Sequence, residues 1–475
     1  MKKLYKKIRK KIILIEPKAP GVHVFSYYPL PRLGNIILGT MLKERGFDVT
    51  VIAEEIQPVR EEIFDGVDVA GISTITSTAN RAYSLADRLR ERGITVIMGG
   101  PHVTYMPEEA ILHADYLVLG EGEQVFPDLV TSLSEGEEVK PVTGLVIRGE
   151  EISHSPSPLL EDMDSIPIPD FSIVSGMENK TWNAFFRKDA LPVQASRGCP
   201  FDCNFCSVTG MFGRKCRHKS VGRVMEEIES YDTKRYNLFF YDDNIAANKA
   251  WIKELLREFI SRKTKFHWYG QVRIDVAKDE ELLELMAESH CDHLFIGLES
   301  VNPETLKEMN KNQTYEDIRD GIAAIRKRKI GIHGMFVFGF DTDTVETIKN
   351  TISFAKKSAI NTVQFMILTP LPGTKIFNEF IKDGRTFFYN WSLYDGHHVT
   401  FWPKYLDPLS LQKLQLYGHK EFYSAIGLIK KFLTAHFSEA AIYSYARNFN
   451  RLWNSGNKSF MNSLNLITRG LKVNS

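Results

Sequence analysis

The chain has almost no net charge, little cysteine and no long apolar run. Its 475 residues carry 60 Lys+Arg against 59 Asp+Glu, with 43% apolar residues and 5 cysteines. A balanced charge gives no global field for gathering phosphates, so a polycationic nucleic-acid binder is excluded and no nucleic-acid partner is expected. An odd, small number of cysteines in so long a chain is not a secreted disulfide framework, and a reducing cytoplasm is the expected location. No apolar run approaches the roughly 18 to 20 residues that span a bilayer. The basic start, Met1 to Lys11, is followed only by the short run Ile12 to Ile15, so the chain reads as soluble or peripheral. There is no short-period repeat and no low-complexity tract.

What is present is alternation. Short β-rich apolar runs at 12–17, 48–54, 67–74, 95–100 and 116–121 are separated by stretches of helical period such as 33–45 and 78–92. Five such units predict an open, doubly wound (Rossmann-like) α/β sheet over residues 1–135. Ligands of such sheets sit at the carboxyl ends of the strands. Here those ends lead into loops rich in Gly, Pro, Ser and Thr: 16–35, 73–80, 99–105 and 120–123. Gly99-Gly-Pro-His102 is open to a second reading as a plain turn. The first strand is not followed by G-x-G-x-x-G, which disfavours a dinucleotide site.

Periodicity fades after Ser134, and Ser155-Pro-Ser-Pro158 and Ile166-Pro-Ile-Pro169 mark an extended connector over 136–190. A second α/β series follows over 191–376. Its strand candidates lie at 193–197, 237–241, 266–273, 293–300, 332–340 and 362–369, with helical stretches at 221–231, 251–262 and 315–328. Six units fit a partial (β/α)6 TIM-type barrel rather than the eight-unit form. The last segment, 377–475, is mainly helical. From Leu411 onward it holds nine Lys/Arg against two Glu, a net +7 that the neutral total conceals.

Chemistry concentrates in Ser196-Arg-Gly-Cys-Pro-Phe-Asp-Cys-Asn-Phe-Cys206, which places Cys199, Cys203 and Cys206 in C-x3-C-x2-C spacing behind a predicted strand. Three thiolates on one loop can hold three irons of a cubane and leave the fourth iron open. A zinc loop is the alternative, but it asks for a fourth ligand and C-x2-C pairs. Cys291 precedes a buried strand and reads as a core thiol. Cys216, in Arg214-Lys-Cys-Arg-His218, has basic neighbours that would lower its pKa, so a chemical role stands beside a structural one.

With this loop the sequence resembles the radical S-adenosylmethionine (SAM) superfamily, and the aromatic Phe205 matches the one its motif carries before the last cysteine. The resemblance implies a [4Fe-4S] cluster on Cys199, Cys203 and Cys206, with SAM chelating the fourth iron and cleaved there to a 5'-deoxyadenosyl radical. It implies a reducing partner such as flavodoxin or ferredoxin. Tyr241-Asp-Asp-Asn244 resembles the segment near the SAM amino group, with Asp242 or Asp243 as acceptor. Gln271-Val-Arg273 resembles the third-strand segment, Arg273 pairing with the SAM carboxylate. Gly297-Leu-Glu-Ser300 resembles the segment whose glutamate, here Glu299 beside Ser300, accepts from the ribose. Val337-Phe-Gly339 and Leu368-Thr-Pro-Leu-Pro-Gly-Thr374 resemble the strands lining the adenine pocket.

The amino-terminal loops then resemble the cobalamin-binding domain of the B12-binding radical SAM class. They are Pro31-Arg-Leu-Gly34, Gly71-Ile-Ser-Thr74, Gly99-Gly-Pro-His102 and Leu119-Gly-Glu-Gly-Glu123, and they imply contacts from Leu33, Ser73, Thr74, Gly99, Gly100, His102, Gly120 and Glu121. His102 is read either as a donor to a corrin side chain or as an ordinary loop histidine. The sequence lacks the Asp-x-His-x-x-Gly that supplies an axial histidine in other B12 proteins. Asp395-Gly-His-His398 is the nearest string and lies in another domain. The corrin is therefore expected flat on the sheet edge, facing the barrel, without a protein histidine on cobalt. The resemblance implies a methyltransferase acting on an unactivated carbon through methylcobalamin. Radical cyclisation, ring contraction or carbon–carbon coupling on a lipid or tetrapyrrole-like substrate is the alternative, and a non-catalytic cobalamin or iron–sulfur sensor a third reading. The carboxyl-terminal segment mixes aromatics such as Phe388, Trp391, Trp402 and Trp453 with its positive charge, and reads as a lid over the substrate or as a surface for an anionic amphiphile or membrane.

Overall fold

The structure is a computed structural model and describes residues 10–21, 30–177, 189–434 and 437–470. The chain divides near residue 180 into two compact units.

The first unit is a sheet of β1 (Lys11–Glu16), β2 (Asp48–Ala53), β3 (Val67–Ser73), β4 (Thr95–Gly99), β5 (Tyr116–Val118) and β6 (Leu145–Ile147), in the order β2-β1-β3-β4-β5-β6. The first five strands run parallel and β6 is antiparallel to β5. Ile12 to Ile15 of β1 are all buried, the mark of a central parallel strand covered on both faces. Helices Leu33–Glu44 and Ala79–Glu91 fall where the helical period predicted them. The order 2-1-3-4-5 reverses direction between β1 and β3, which opens a crevice at the carboxyl ends there.

The stretch expected as a connector does not stand apart, since residues up to 177 belong to this unit. β6 extends the sheet, Ser157 N donates to Leu119 O at 2.9 Å, and Ser175 N donates to Val51 O at 2.9 Å. A three-residue strand is too short to leave a period in the sequence.

The second unit is an open sheet of six parallel strands: β7 (Asp189–Val193), then, beyond two short strands β8 (Ser196–Arg197) and β9 (Arg217–His218), β10 (Tyr236–Phe240), β11 (Trp268–Val272), β12 (Cys291–Glu299), β13 (Gly331–Phe338) and β14 (Thr362–Ile367). Their order, β14-β13-β12-β11-β10-β7, follows the chain around the expected (β/α)6 arc. Helices Val221–Glu229, Lys249–Ser261 and Tyr315–Lys327 pack between them with the predicted phase. The first strand lies earlier than expected, ending at Val193 instead of starting there. Pro192 lies within it, and among the described residues β7 is a sheet edge paired with β10 alone, where a missing N–H is tolerated.

The helical carboxyl-terminal segment is no separate body. The expected break at 376/377 falls inside helix Lys375–Lys382, and Phe401, Leu411, Leu414, Phe422 and Tyr423 share one apolar core with the barrel strands.

Candidate active site

The cysteine loop is closed at its neck by the antiparallel pair β8 and β9. Gly198 starts it with φ +91°, and a Cβ there would run into Gly213 O and Phe212 O at 3.1 Å, so the turn admits only glycine. Cys199 N donates to Gly213 O at 3.2 Å and Cys206 N to Cys203 O at 3.2 Å. The loop is then clamped from outside. Asn310 Nδ2 donates to Asp202 O at 2.9 Å, Asn204 Nδ2 to Glu308 O at 3.0 Å, and Lys375 pairs with Asp202 at 2.8 Å. Phe205 sets its edge on Phe340, with centroids 5.7 Å apart.

Cys199, Cys203 and Cys206 are free thiols, each partly exposed. Burial pushes the Cys206 thiol up to about 12 and raises Cys199, while the backbone N–H groups of Val208 and Phe201 oppose the shift by donating to the two sulfurs. Amide donors aimed at sulfur are what cluster thiolates require. Among the described residues no three His, Cys, Asp or Glu side chains close on one point. A cubane places each thiolate on a different iron, so the donor set fits a [4Fe-4S] cluster better than a single zinc ion. Cys216 departs from expectation. Burial raises its thiol, the charges of Cys199 and the two aspartates add to the rise, and its Sγ lies 3.5 Å from Gly198 O.

The strand ends above this loop carry the residues expected to meet SAM, and they separate into holders and held. Asp242 is buried and committed: it accepts from Ser196 Oγ and, at 3.2 Å, from Ala195 N, although burial still lifts its carboxyl to about 7. Asp243 is open to solvent, yet so much protein surrounds it that desolvation lifts it to about 6. Next to it Asn244 Oδ1 is buried without a partner. Gln271 Nε2 donates to Asp242 O at 3.3 Å and so ties β11 to that turn. Arg273 stacks on the Phe201 ring at 3.7 Å, donates through Nη2 to Lys311 O, and keeps a buried Nε without a hydrogen bond.

Glu299 ends β12 at a bulge in the β12–β13 register, with φ +60°, a left-handed backbone that a glutamate rarely adopts. Its Oε1 meets Lys311 Nζ at 2.7 Å and both side chains are buried. Lys311 was not singled out from the sequence. The only local signal was Asn310 and Asn312 on either side, which both take positive φ. Ser300 Oγ accepts from Asn302 N at 3.1 Å and holds the next turn, so its side chain is occupied locally. Gly339 has φ +114°, its N–H goes to Asp343, and a Cβ would meet Phe401 and Leu411 at 2.9 and 3.0 Å. Its glycine is therefore required by packing on the carboxyl-terminal segment.

In the first unit, Ser73 and Gly99 end β3 and β4, and Thr74, Gly100, Gly120 and Glu121 follow the carboxyl ends of β3, β4 and β5, on one edge of the sheet. Thr74 is fully buried, N–H bonded to Gly99 O at 2.9 Å, with its Oγ1 unpartnered, a polar group suited to a corrin amide. Leu33 is buried at the start of its helix, and Glu121 accepts from Leu160 N at 2.7 Å. His102 is fully buried, with Nδ1 3.3 Å from Thr76 Oγ1 and Nε2 3.0 Å from Tyr83 Oη; burial lowers it to about 4. It sits in the short helix Pro101–Tyr105, and both ring nitrogens lie within reach of these protein hydroxyls. In Asp395-Gly-His-His398, His398 is bound by Asp395 and Asn457 at 2.9 Å each, a structural knot in the second unit. The expected contacts in the Glu16–Asn35 loop at 22–29 lie outside the described residues.

The fold and the cysteine loop define a class: an open-barrel iron–sulfur enzyme joined to a flavodoxin-type ligand-binding sheet. The Radical SAM superfamily model matches residues 193–355 and the B12 binding domain model residues 22–130. The chain is 30% identical over 433 residues to a bacteriochlorophyllide d C-12(1)-methyltransferase of Chlorobaculum tepidum, covering 90% of each chain. It is 31% identical to an uncharacterised methyltransferase of Pyrococcus horikoshii, over 88% of this chain and 93% of that one. The fold matches the cobalamin-dependent SAM radical enzyme OxsB with a TM-score of 0.70 over 98% of this chain and 76% of that chain, at 16% identity. The chain belongs to the cobalamin-binding branch of the radical SAM superfamily. It is an enzyme whose cofactors are a [4Fe-4S] cluster, SAM and cobalamin.

Proposed function

We propose that this enzyme transfers a methyl group to an unactivated carbon of a small organic or lipid-like substrate. The observation that carries the reading is the reach of the similarity to a methyltransferase. It runs over 90% of both chains, so it takes in both units and most of the carboxyl-terminal segment where a substrate would be met.

When bound, the cluster and SAM supply a hydrogen-abstracting radical and the cobalamin supplies the methyl group, chemistry that no side chain can perform. The residues hold and orient. Cys199, Cys203 and Cys206 take the cluster, Asp243 takes the SAM ammonium, and Arg273, whose Nε makes no hydrogen bond and lies 3.8 Å from Asp275 Oδ1, takes the SAM carboxylate. Lys311 fixes Glu299 beside them for the ribose hydroxyls. Thr74, with Ser73, Gly99, Gly100 and Gly120, lines the cobalamin crevice. An external one-electron donor of the flavodoxin or ferredoxin kind belongs to the reading, as do a cytoplasmic location and peripheral contact with a membrane through the basic carboxyl-terminal segment.

The test is incubation of the reconstituted enzyme with SAM labelled in its methyl group, under reduction, with extracts of a strain lacking the enzyme. Label entering a product together with 5'-deoxyadenosine supports methyl transfer. Formation of 5'-deoxyadenosine with a changed, unlabelled product overturns it in favour of cyclisation or ring contraction.

A further inference from the structure

The carboxyl-terminal helices carry a surface that neither the cofactor sites nor the barrel core uses. Helix Ala425–Leu433, with the sequence AIGLIKKFL, buries none of its residues. Ile426 is 81% exposed, Leu433 80%, Phe432 63% and Ile429 58%, and Phe437 just beyond is 60% exposed. Positions 426, 429, 430 and 433 form one helical face. The opposite side is the one that packs, with Gly427 set against the Tyr443 ring. A helix of a soluble domain turns its apolar face inward; this one turns it to solvent.

Beside it, helices Pro408–Phe422 and Phe437–Gly456 form a groove of about 390 Å³ lined by Lys413, Lys420, Arg447 and Arg451, with Tyr417 and no carboxylate. The groove reaches Tyr423, two residues before the apolar helix begins, and Arg447 Nη1 donates to Tyr423 O at 3.2 Å. The two glutamates of the region are held elsewhere: Glu421 by Lys356 at 2.6 Å and Glu439 by Lys431. Among the described residues no carboxylate pairs with any of the four groove cations.

We propose that this face docks on a bilayer containing anionic phospholipid. Ile426, Ile429, Phe432 and Leu433 enter the boundary between headgroups and acyl chains, Lys430 snorkels from among them, and the four groove cations take lipid phosphates. Charge selects this occupant. A second copy of the chain would bring a like-charged +7 segment against the first, and that juxtaposition is repulsive. An anionic bilayer instead satisfies the cations and the exposed side chains together. The inference deepens the peripheral membrane contact of the proposed function, adding the lipid charge and the side chains that meet it, and does not depend on methyl transfer.

The test is co-sedimentation of the full-length reconstituted enzyme with vesicles of phosphatidylcholine alone and of phosphatidylcholine mixed with phosphatidylglycerol. Binding is expected to the mixed vesicles and to fall as salt rises. Lys413→Gln and Lys420→Gln should each weaken it roughly fivefold, and Ile429→Glu with Leu433→Glu should abolish it. Circular dichroism and SAM cleavage should stay at wild-type values, which separates lost docking from lost folding. Equal binding to neutral vesicles, indifference to the lysine variants, or a dimer in solution that Leu433→Glu splits while vesicles are ignored would each overturn the proposal.

Discussion

The hydroxyl of Tyr423 lies 2.8 Å from Val363 N and 2.7 Å from Val363 O, so one side chain accepts from and donates to the same residue of β14. β14 is the last strand of an open sheet, and every second residue turns its backbone groups away from β13. The next such residue, Phe365, is met by Gln415 Nε2 at 2.9 Å and His419 Nε2 at 3.0 Å on its carbonyl oxygen, and Ile367 N donates to Gly396 O at 2.7 Å. Gln415, His419 and Tyr423 recur at steps of four along one helix and its end. The carboxyl-terminal segment thus seals an exposed sheet edge, the hazard that an incomplete barrel creates and a closed one avoids.

Tyr423→Phe keeps the ring and removes both hydrogen bonds, leaving a buried N–H and C=O unpaired. The expected loss is about 1–3 kcal/mol of stability, read as a lower denaturation midpoint of the apoprotein. SAM cleavage by the folded variant should be unchanged.

Cys203→Ala should remove the cluster's visible absorbance and all SAM cleavage, because two thiolates cannot hold a cubane open at one iron. Cys216→Ala should keep both, since its Sγ lies 3.5 Å from Gly198 O and an open-site cluster needs no fourth thiolate. Loss of iron on replacing Cys216 would refute the three-cysteine assignment.

Much of the fold was legible because periodicity reports burial. The helices at 33–44, 79–91 and 315–327 were placed to within a residue or two, and the cysteine spacing announced the loop. What escaped depended on tertiary placement. Asp242 and Asp243 read alike in sequence, and only the fold turns one to Ser196 and leaves the other open to solvent. His102 read equally as a corrin donor and as an ordinary loop histidine, and only the fold shows its ring nitrogens beside the Thr76 and Tyr83 hydroxyls. Lys311 carried no signal, because its meaning comes from Glu299, twelve residues away and held with positive φ.

That division of the aspartates is testable. Asp243→Asn should weaken SAM binding about tenfold or more, the worth of a charge-assisted hydrogen bond, with little change in melting temperature. Asp242→Asn should do the reverse, lowering stability through the Ser196 and Ala195 contacts. Isothermal titration with SAM on the cluster-loaded enzyme, beside thermal melts, distinguishes them.

Lys311→Met fills the volume and removes the charge. Glu299 is then buried opposite an apolar chain, and breaking such a pair costs about 3–5 kcal/mol. Both stability and SAM affinity should fall. Lys311→Arg, which keeps the charge and its reach to Glu299, should recover part of each.

The same edge that Tyr423 seals gives a dependence on pH. Burial lowers His419 from 6.5 to about 4, so the fold favours its neutral form. The stabilisation is complete above the unfolded value near 6.5 and is lost as pH falls toward 4, because the unfolded chain takes up a proton that the native site refuses. For one such group the loss reaches about 2 kcal/mol by pH 5. Asp242 and Asp343, raised by burial to about 7 and 6, act in the opposite sense, so the melting temperature of the wild type alone does not isolate the histidine. His419→Gln retains a donor for Phe365 O and removes the titration. The stability gap between wild type and this variant should narrow by about that amount between pH 7.5 and pH 5. A gap that stays constant across the range would mean that His419 does not lose its neutral-form advantage there.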